Sequence, residues 1–107
     1  MKFIIIGLGY YGRSVAEELS KAGHEVICAD NNPNKINMIQ DKVEAAFIID
    51  ATEESALKTL PLNDVDVVIV SIGEDLGASV RAIALLKKNN DKHIYARASD
   101  PIHHSIV

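Results

Sequence analysis

The sequence predicts an α/β fold: a doubly wound parallel sheet of about five strands in the order 3-2-1-4-5, with helices on both faces. Short apolar segments rich in β-branched residues alternate along the chain with segments of helical spacing. The strand segments are continuous apolar runs, which are typical of parallel strands covered on both faces. The predicted strands span residues 3–6, 25–30, 46–50, 65–71 and 93–98.

Capping residues and helical spacing predict the helices that connect these strands. Gly23 ends the first helix as a left-handed terminator. The second begins at Asn32 as N-cap, with Pro33 as the first helical residue. Thr52 caps the third helix, which Pro61 ends. The positions predicted to face the sheet are Val15, Ala16, Leu19 and Ala22 in the first helix, and Ile36, Ile39 and Val43 in the second.

The fourth predicted helix is the longest and spans about residues 75–88, with Asn89 and Asn90 ending it. Its apolar band is wider than one face of a sheet requires. We therefore expect part of the band to contact another subunit in a homo-oligomer, such as a dimer. The band consists of Leu76, Val80, Ile83, Ala84 and Leu86.

Composition predicts one soluble folded domain over residues 1–107. Compact domains commonly have about 100–150 residues, and 48% apolar with 24% charged residues is typical of a globular protein. The net charge of −4 argues against a nucleic-acid partner, which requires clustered Lys and Arg. Asp100-Pro101 begins a helix whose end is not in the sequence, so we expect a truncated form of a longer chain.

The apolar runs are too short for membrane insertion. The run that starts at residue 3 cannot form a signal-peptide core, and the run at residues 67–70 is far below the roughly 20 residues of a membrane span. We therefore expect a cytoplasmic chain without direct membrane insertion. The single cysteine, Cys28, lies in an apolar strand, which excludes an internal disulfide and a thiolate metal site and predicts a buried, inert thiol.

A glycine motif directly follows the first strand. Gly7, Gly9 and Gly12 fit the pattern G-x-G-x-x-G, which permits a tight turn, close approach of a phosphate, and close packing of helix on strand. Exposed amides at the helix N-terminus then bind the phosphate. The alternative is ordinary turn chemistry. The order of strand, loop and helix favours a Rossmann nucleotide site, which also includes Tyr10 and Tyr11 as candidate contacts.

Asp30 is the second element of the predicted site. It ends the second strand 18 residues after Gly12, where a carboxylate can bond ribose hydroxyls. Its charge repels a 2′-phosphate, which favours NAD(H), ATP, ADP or AMP over NADP(H). A capping role in the turn before Pro33 is the alternative. Asn31 and Lys35, just beyond Asp30, are further candidate contacts.

Two more segments follow strands three and four at the edge of the sheet where ligands bind in this fold. The switch point lies between the first and fourth strands, so the segment after strand three is expected on the adenine side. The segment after strand four is expected beside the phosphates or the second ribose. Helix capping alone is the alternative for both. The candidates are Asp50, Ala51 and Thr52 in the first segment, and Ser71, Ile72, Gly73 and Glu74 in the second.

These segments together resemble the nucleotide-binding regulatory domain of bacterial potassium uptake and efflux systems, known as KTN, TrkA-N or RCK. The resemblance covers essentially the whole chain. Many nucleotide-binding domains share the glycine motif, but Asp-Ala-Thr after strand three combined with Ser-Ile-Gly-Glu after strand four is more specific. The matching segments are residues 5–9 with Gly12, 23–26 leading to Asp30, 50–53, 67–74 and 96–98.

The resemblance implies a cytoplasmic domain that lies at the inner face of the cell membrane through a partner. Such a domain binds NAD(H) or ATP/ADP and transmits its occupancy to a membrane potassium channel or transporter subunit. The apolar band on the fourth helix and the resemblance together suggest dimers that build into a ring.

The resemblance also implies roles for single residues. In the family the counterpart of Asp30 holds the adenosine ribose, and Arg97 matches a basic position that can reach phosphates. Pairing of Arg97 with Asp100 or another acid is the alternative. Tyr10 stands where several ATP-responsive members carry Arg, and a phenol cannot supply the same charge-assisted bonds. This departure leaves NAD(H), ADP or AMP open.

We predict that this chain is not an enzyme. The sequence shows neither a proton donor nor a substrate pocket for oxidoreduction, and Tyr95 is not followed by Lys four residues later. It also contains no Gly-Lys-Ser/Thr loop for phosphoryl transfer. The alternative is the cofactor-binding domain of a truncated NAD-dependent dehydrogenase, with its catalytic residues beyond Val107. A scaffold that binds nothing is a third interpretation.

Overall fold

Five parallel strands form one sheet in the computed structural model, which describes residues 1–72, 76–89 and 93–96. The strands are β1 (Lys2–Ile6), β2 (Glu25–Asp30), β3 (Ala45–Ile48), β4 (Val67–Val70) and β5 (His93–Ala96). Their order is β3-β2-β1-β4-β5, which confirms the predicted topology. The chain winds outward from β1 in both directions, so the carboxyl ends of β1 and β4 flank the switch point of the sheet.

The helices lie on both faces of this sheet, as predicted. They are α1 (Tyr10–Lys21), α2 (Pro33–Ile39), α3 (Glu54–Leu57) and α4 (Leu76–Asn89), and a short 3-10 helix (Leu62–Asp64) precedes β4. Ile4 and Ile6 of β1 pack in a core with residues of α3 and α4, whereas Ile5 packs in a second core with residues of α1 and α2. Alternate residues of one strand therefore belong to opposite layers.

Two predicted helix termini and the predicted burial of Cys28 are confirmed. Gly23 has a φ of +93°, and the amides of Gly23 and His24 donate to the carbonyls of Ser20 and Leu19. The side chain of Asn32 accepts a bond from the Asn34 amide at 2.9 Å, so it caps α2. Cys28 is buried, and burial raises the pKa of its thiol to about 12.

The structure corrects the predicted start of α3. Thr52 does not cap this helix, which begins at Glu54 with Glu53 in the N-cap position. The Thr52 hydroxyl instead donates to the carboxylate of Asp50, a stronger acceptor two residues earlier. α3 also ends at Leu57, well before Pro61. The proline therefore does not end the helix.

The apolar band predicted on α4 is divided between the core and the surface. Leu86 is buried together with Ala82, which was not assigned to the band. Leu76 and Val80 are exposed by 71% and 58%. Asn89 is the last residue of α4, and its side chain donates to the Leu85 carbonyl. Within the described ranges, no helix has both the length and the apolar character needed to span a bilayer.

Candidate functional site

A cleft of about 220 Å³ lies at the carboxyl ends of β1 to β4. The fold brings the loops that follow these four strands to one edge of the sheet, as the sequence predicts. Some lining residues were not predicted, namely Ile6, Leu8, Ala29, Ile49 and Ala78. The predicted residues that line the cleft are Gly7, Gly9, Asp30, Asn31, Lys35, Asp50, Ala51, Thr52, Ser71 and Ile72.

The three glycines of the loop between β1 and α1 have different surroundings. Gly7 has a φ of +96°, and a Cβ atom there would collide with the carbonyl of Ser71. A Cβ atom on Gly12 would collide with the carbonyl of Gly7. Apart from Gly9 and its neighbours in the chain, no atom of the described residues lies within 4 Å of a Cβ built on Gly9. Packing therefore requires the first and third glycines, and the second leaves the backbone open to a ligand.

The Asp30 carboxylate ties this loop to the end of β2. Its Oδ2 accepts a hydrogen bond from the Leu8 amide at 2.7 Å, and its Oδ1 accepts one from the Asn32 amide at 2.8 Å. Each carboxylate oxygen has a second lone pair, so both can still accept bonds from ribose hydroxyls. The bond to Leu8 was not predicted. Spacing places a carboxylate at the end of the strand but does not indicate which amide it meets.

The segment after β3 forms one side of the cleft. We call it the adenine-side wall, because the sequence predicts it on the adenine side, and define it as Asp50, Ala51 and Thr52. Oδ1 of Asp50 accepts from the amide of Thr52 at 2.9 Å and from its hydroxyl at 2.6 Å. These bonds, together with the charge of Arg81, hold the pKa of Asp50 below its usual value of 3.8. Ala51 is buried, so the wall is anchored in the core.

Arg81 of α4 also holds the adenine-side wall. Its Nε donates to the carbonyl oxygen of Thr52 at 2.7 Å. The sequence gives no signal for this contact, because the two residues are 29 positions apart and Arg81 lies in a helix that contains both polar and apolar residues. The wall is therefore restrained by Asp50, which belongs to it, and by Arg81, which belongs to α4.

Ser71 lies at the base of the cleft with an unsatisfied hydroxyl. Its amide donates to the Ile6 carbonyl at 2.7 Å, and the residue is 1% exposed. The buried Oγ atom has no hydrogen-bond partner within the described part of the chain. An unpaired buried hydroxyl costs about 1–3 kcal/mol, which a ligand or water could relieve. This orphaned group and the open space at Gly9 both fit a bound phosphate.

Six predicted contacts are not among the residues that line the cleft. Three of them belong to the described part of the chain, and three lie outside it. Tyr10 is 82% exposed at the start of α1, and Gly12 is buried beneath the loop. Neither they nor Tyr11 line the cleft. The others lie outside the described residues, and they are Gly73, Glu74 and Arg97.

Comparisons with known proteins identify the family. The TrkA-N domain family matches residues 3–107. Ktr system potassium uptake protein A of Bacillus subtilis is 37% identical over 106 residues, which cover 99% of this chain and 48% of that protein. The chain thus spans about half the length of this relative.

Two solved structures have the same fold. The NAD(P)-binding domain of an exopolyphosphatase-related protein from Archaeoglobus fulgidus has a TM-score of 0.80 and 29% identity, over 97% of this chain and 77% of that one. The AMP-bound Kef CTD of Shewanella denitrificans has a TM-score of 0.73 and 24% identity, over 96% and 62%. The match over residues 3–107 establishes that this chain belongs to the TrkA-N domain family.

Proposed function

We propose that this chain is a regulatory domain that binds NAD(H) or an adenine nucleotide and controls a membrane potassium channel or transporter subunit. Family membership and the potassium uptake relative support this assignment. The observation that carries it is the Asp30 carboxylate beside the glycine loop, at the switch point of the sheet. That arrangement can recognise a ribose and a phosphate that are covalently linked.

The residues of the cleft have distinct roles in this proposal. Gly9 lets a phosphate approach the backbone amides at the N-terminus of α1, where the helix dipole favours negative charge. Asp30 accepts bonds from the ribose hydroxyls. Lys35 supplies a positive charge at the cleft margin. The adenine-side wall contacts the base, and Asn31, Ser71 and Ile72 are further contacts that line the cleft. Tyr10 and Tyr11 are not among the lining residues, and Gly73, Glu74 and Arg97 lie outside the described residues, so these five contacts stay predictions.

The proposal includes a regulatory rather than a catalytic role. Relatives that take part in potassium uptake favour this role over the cofactor domain of a dehydrogenase. A chain of this kind would act in the cytoplasm at the inner face of the membrane, as a homo-oligomer on its transport partner. The exposed Leu76 and Val80 on α4 are consistent with a contact between subunits.

Isothermal titration calorimetry with NAD⁺, NADH, ATP, ADP and AMP tests nucleotide binding. Gly9→Val is the blocking variant, because its side chain would project into open space without disturbing the fold. We expect the wild-type protein to bind at least one of these ligands and Gly9→Val to bind none while remaining folded. Absence of binding by the wild type would overturn the proposal.

Potassium uptake by cells tests the regulatory role separately. Cells that lack the natural protein and express either the full-length wild type or its Gly9→Val variant are compared at limiting potassium. We expect the variant to differ from the wild type in uptake rate at equal protein level. Equal rates would contradict a role for the cleft in transport.

A further inference from the structure

Helix α4 is tied to the segment after β3 at two points. In the N-terminal half of α4, Arg81 Nε donates to the Thr52 carbonyl at 2.7 Å. At its C-terminal end, Lys88 Nζ lies 3.3 Å from a carboxylate oxygen of Glu54, and Asn89 Nδ2 donates to that group at 3.0 Å. One contact therefore joins α4 to the segment between β3 and α3, and the other joins it to the first residue of α3.

Of these two contacts, only the one made by Arg81 involves a residue that lines the candidate cleft. Thr52 lines the cleft, and so does Ala78, which lies one turn before Arg81 on α4. Glu54 is not among the lining residues. Helix α4 therefore borders the cleft through Ala78 and bonds to the adenine-side wall through Arg81.

Hydrogen bonds from Arg81 and to Asp50 restrain the backbone of the adenine-side wall at Thr52. Asp50 orients the amide and hydroxyl of Thr52, and Arg81 orients its carbonyl, so together they restrain the peptide groups on both sides of Thr52. The positive charge of Arg81 also stabilises the ionised form of Asp50. A wall held in this way needs little ordering when a ligand binds, which increases affinity.

We infer that Arg81 is a positioning residue for the nucleotide: its bond to the Thr52 carbonyl sets the adenine-side wall and couples occupancy of the cleft to α4. This inference rests on the proposed function. The coupling matters because α4 also presents the exposed Leu76 and Val80. A ligand bound against the wall would thereby also restrain the helix that carries this apolar surface.

Three substitutions at Arg81 and one control test the inference. Arg81→Met removes the donor but keeps an apolar stem, Arg81→Lys retains a cationic donor, and Arg81→Ala is the donor-free alternative if the methionine variant does not fold. Lys87→Met removes an exposed charge elsewhere on α4. Affinity for NAD⁺ and AMP is measured by calorimetry, and amide hydrogen exchange is measured with and without saturating ligand.

We expect Arg81→Met to bind about fivefold more weakly, the effect of losing one hydrogen bond. In the wild type, saturating ligand should slow amide exchange in α4. This protection should be lost in Arg81→Met, partly restored in Arg81→Lys, and retained in Lys87→Met. A residue that only stabilises the fold would leave this ligand-dependent protection unchanged. Wild-type affinity and protection in Arg81→Met or Arg81→Ala would overturn the inference alone. Failure of the wild type to bind would overturn the proposed function and this inference together.

Discussion

Asp30 has a structural role in addition to its proposed role in binding. Its two carboxylate oxygens accept bonds from the amides of Leu8 and Asn32. We expect Asp30→Ala to lower the free energy of unfolding by about 1–3 kcal/mol, because both partly buried amides lose their acceptor. Asp30→Asn should be less destabilising, since its amide group retains one acceptor oxygen. Urea denaturation of the two variants and the wild type measures the difference.

Binding measurements on the same variants separate the two roles of Asp30. Asp30→Asn removes the negative charge and should reduce the preference for NAD(H) over NADP(H), with a smaller loss of stability than in Asp30→Ala. An Asp30→Ala variant as stable as the wild type would contradict the structural role. Unchanged nucleotide binding by both variants would contradict the binding role.

At the scale of the elements, the loop between β1 and α1 depends on the small size of Gly7. Gly7 and Gly23 both have a positive φ, but only at Gly7 would a Cβ atom meet backbone atoms of Ser71. Gly23→Ala should therefore cost about 1–2 kcal/mol for the left-handed backbone alone. Gly7→Ala should cost more, by roughly 1–3 kcal/mol for the steric conflict. Chemical denaturation of both variants provides the comparison, and equal losses would argue against close contact between this loop and Ser71.

The contact between α3 and α4 should depend on pH. Bonds from Asn89 and Lys88 lower the pKa of Glu54 from its usual value of 4.5. A carboxyl group whose pKa is lower in the folded state stabilises that state above its unfolded pKa. This contribution is lost as the pH falls from about 4.5 through the folded pKa.

Glu54→Gln isolates this contribution from those of other carboxylates. The difference in free energy of unfolding between wild type and Glu54→Gln should be constant near neutral pH and shrink as the pH falls below about 4.5. Urea denaturation across this pH range measures it. A difference that does not change with pH would show that Glu54 does not stabilise the contact through its charge.

The strands could be predicted more fully than the contacts between distant elements. Apolar runs and the glycine motif indicate the parallel sheet and its order, because both are local patterns in sequence. The role of Thr52 could not be predicted correctly, since Asp50 competes for its hydroxyl. The Arg81 contact joins residues far apart in the chain, so no local pattern reveals it. The unpaired hydroxyl of Ser71 also depends on how neighbouring strands pack.

At the scale of the whole molecule, ligand binding and folding stability are linked. A ligand that binds only the folded state at 100 times its dissociation constant adds about 2.7 kcal/mol of stability. For a chain of this size, that gain corresponds to an increase in Tm of roughly 10 °C. We therefore expect NAD⁺ or AMP to raise Tm in a concentration-dependent way, because the cleft joins loops that follow four strands of the sheet.

NADP⁺ is the matched control for this effect, since it differs from NAD⁺ only by the 2′-phosphate. That phosphate would lie beside the Asp30 carboxylate at the end of β2, where like charges repel. We expect NADP⁺ to raise Tm by less than NAD⁺ at equal concentration, and Asp30→Asn to reduce the difference. Differential scanning calorimetry measures both. An equal or larger shift with NADP⁺ in the wild type would show that Asp30 does not contact the adenosine ribose.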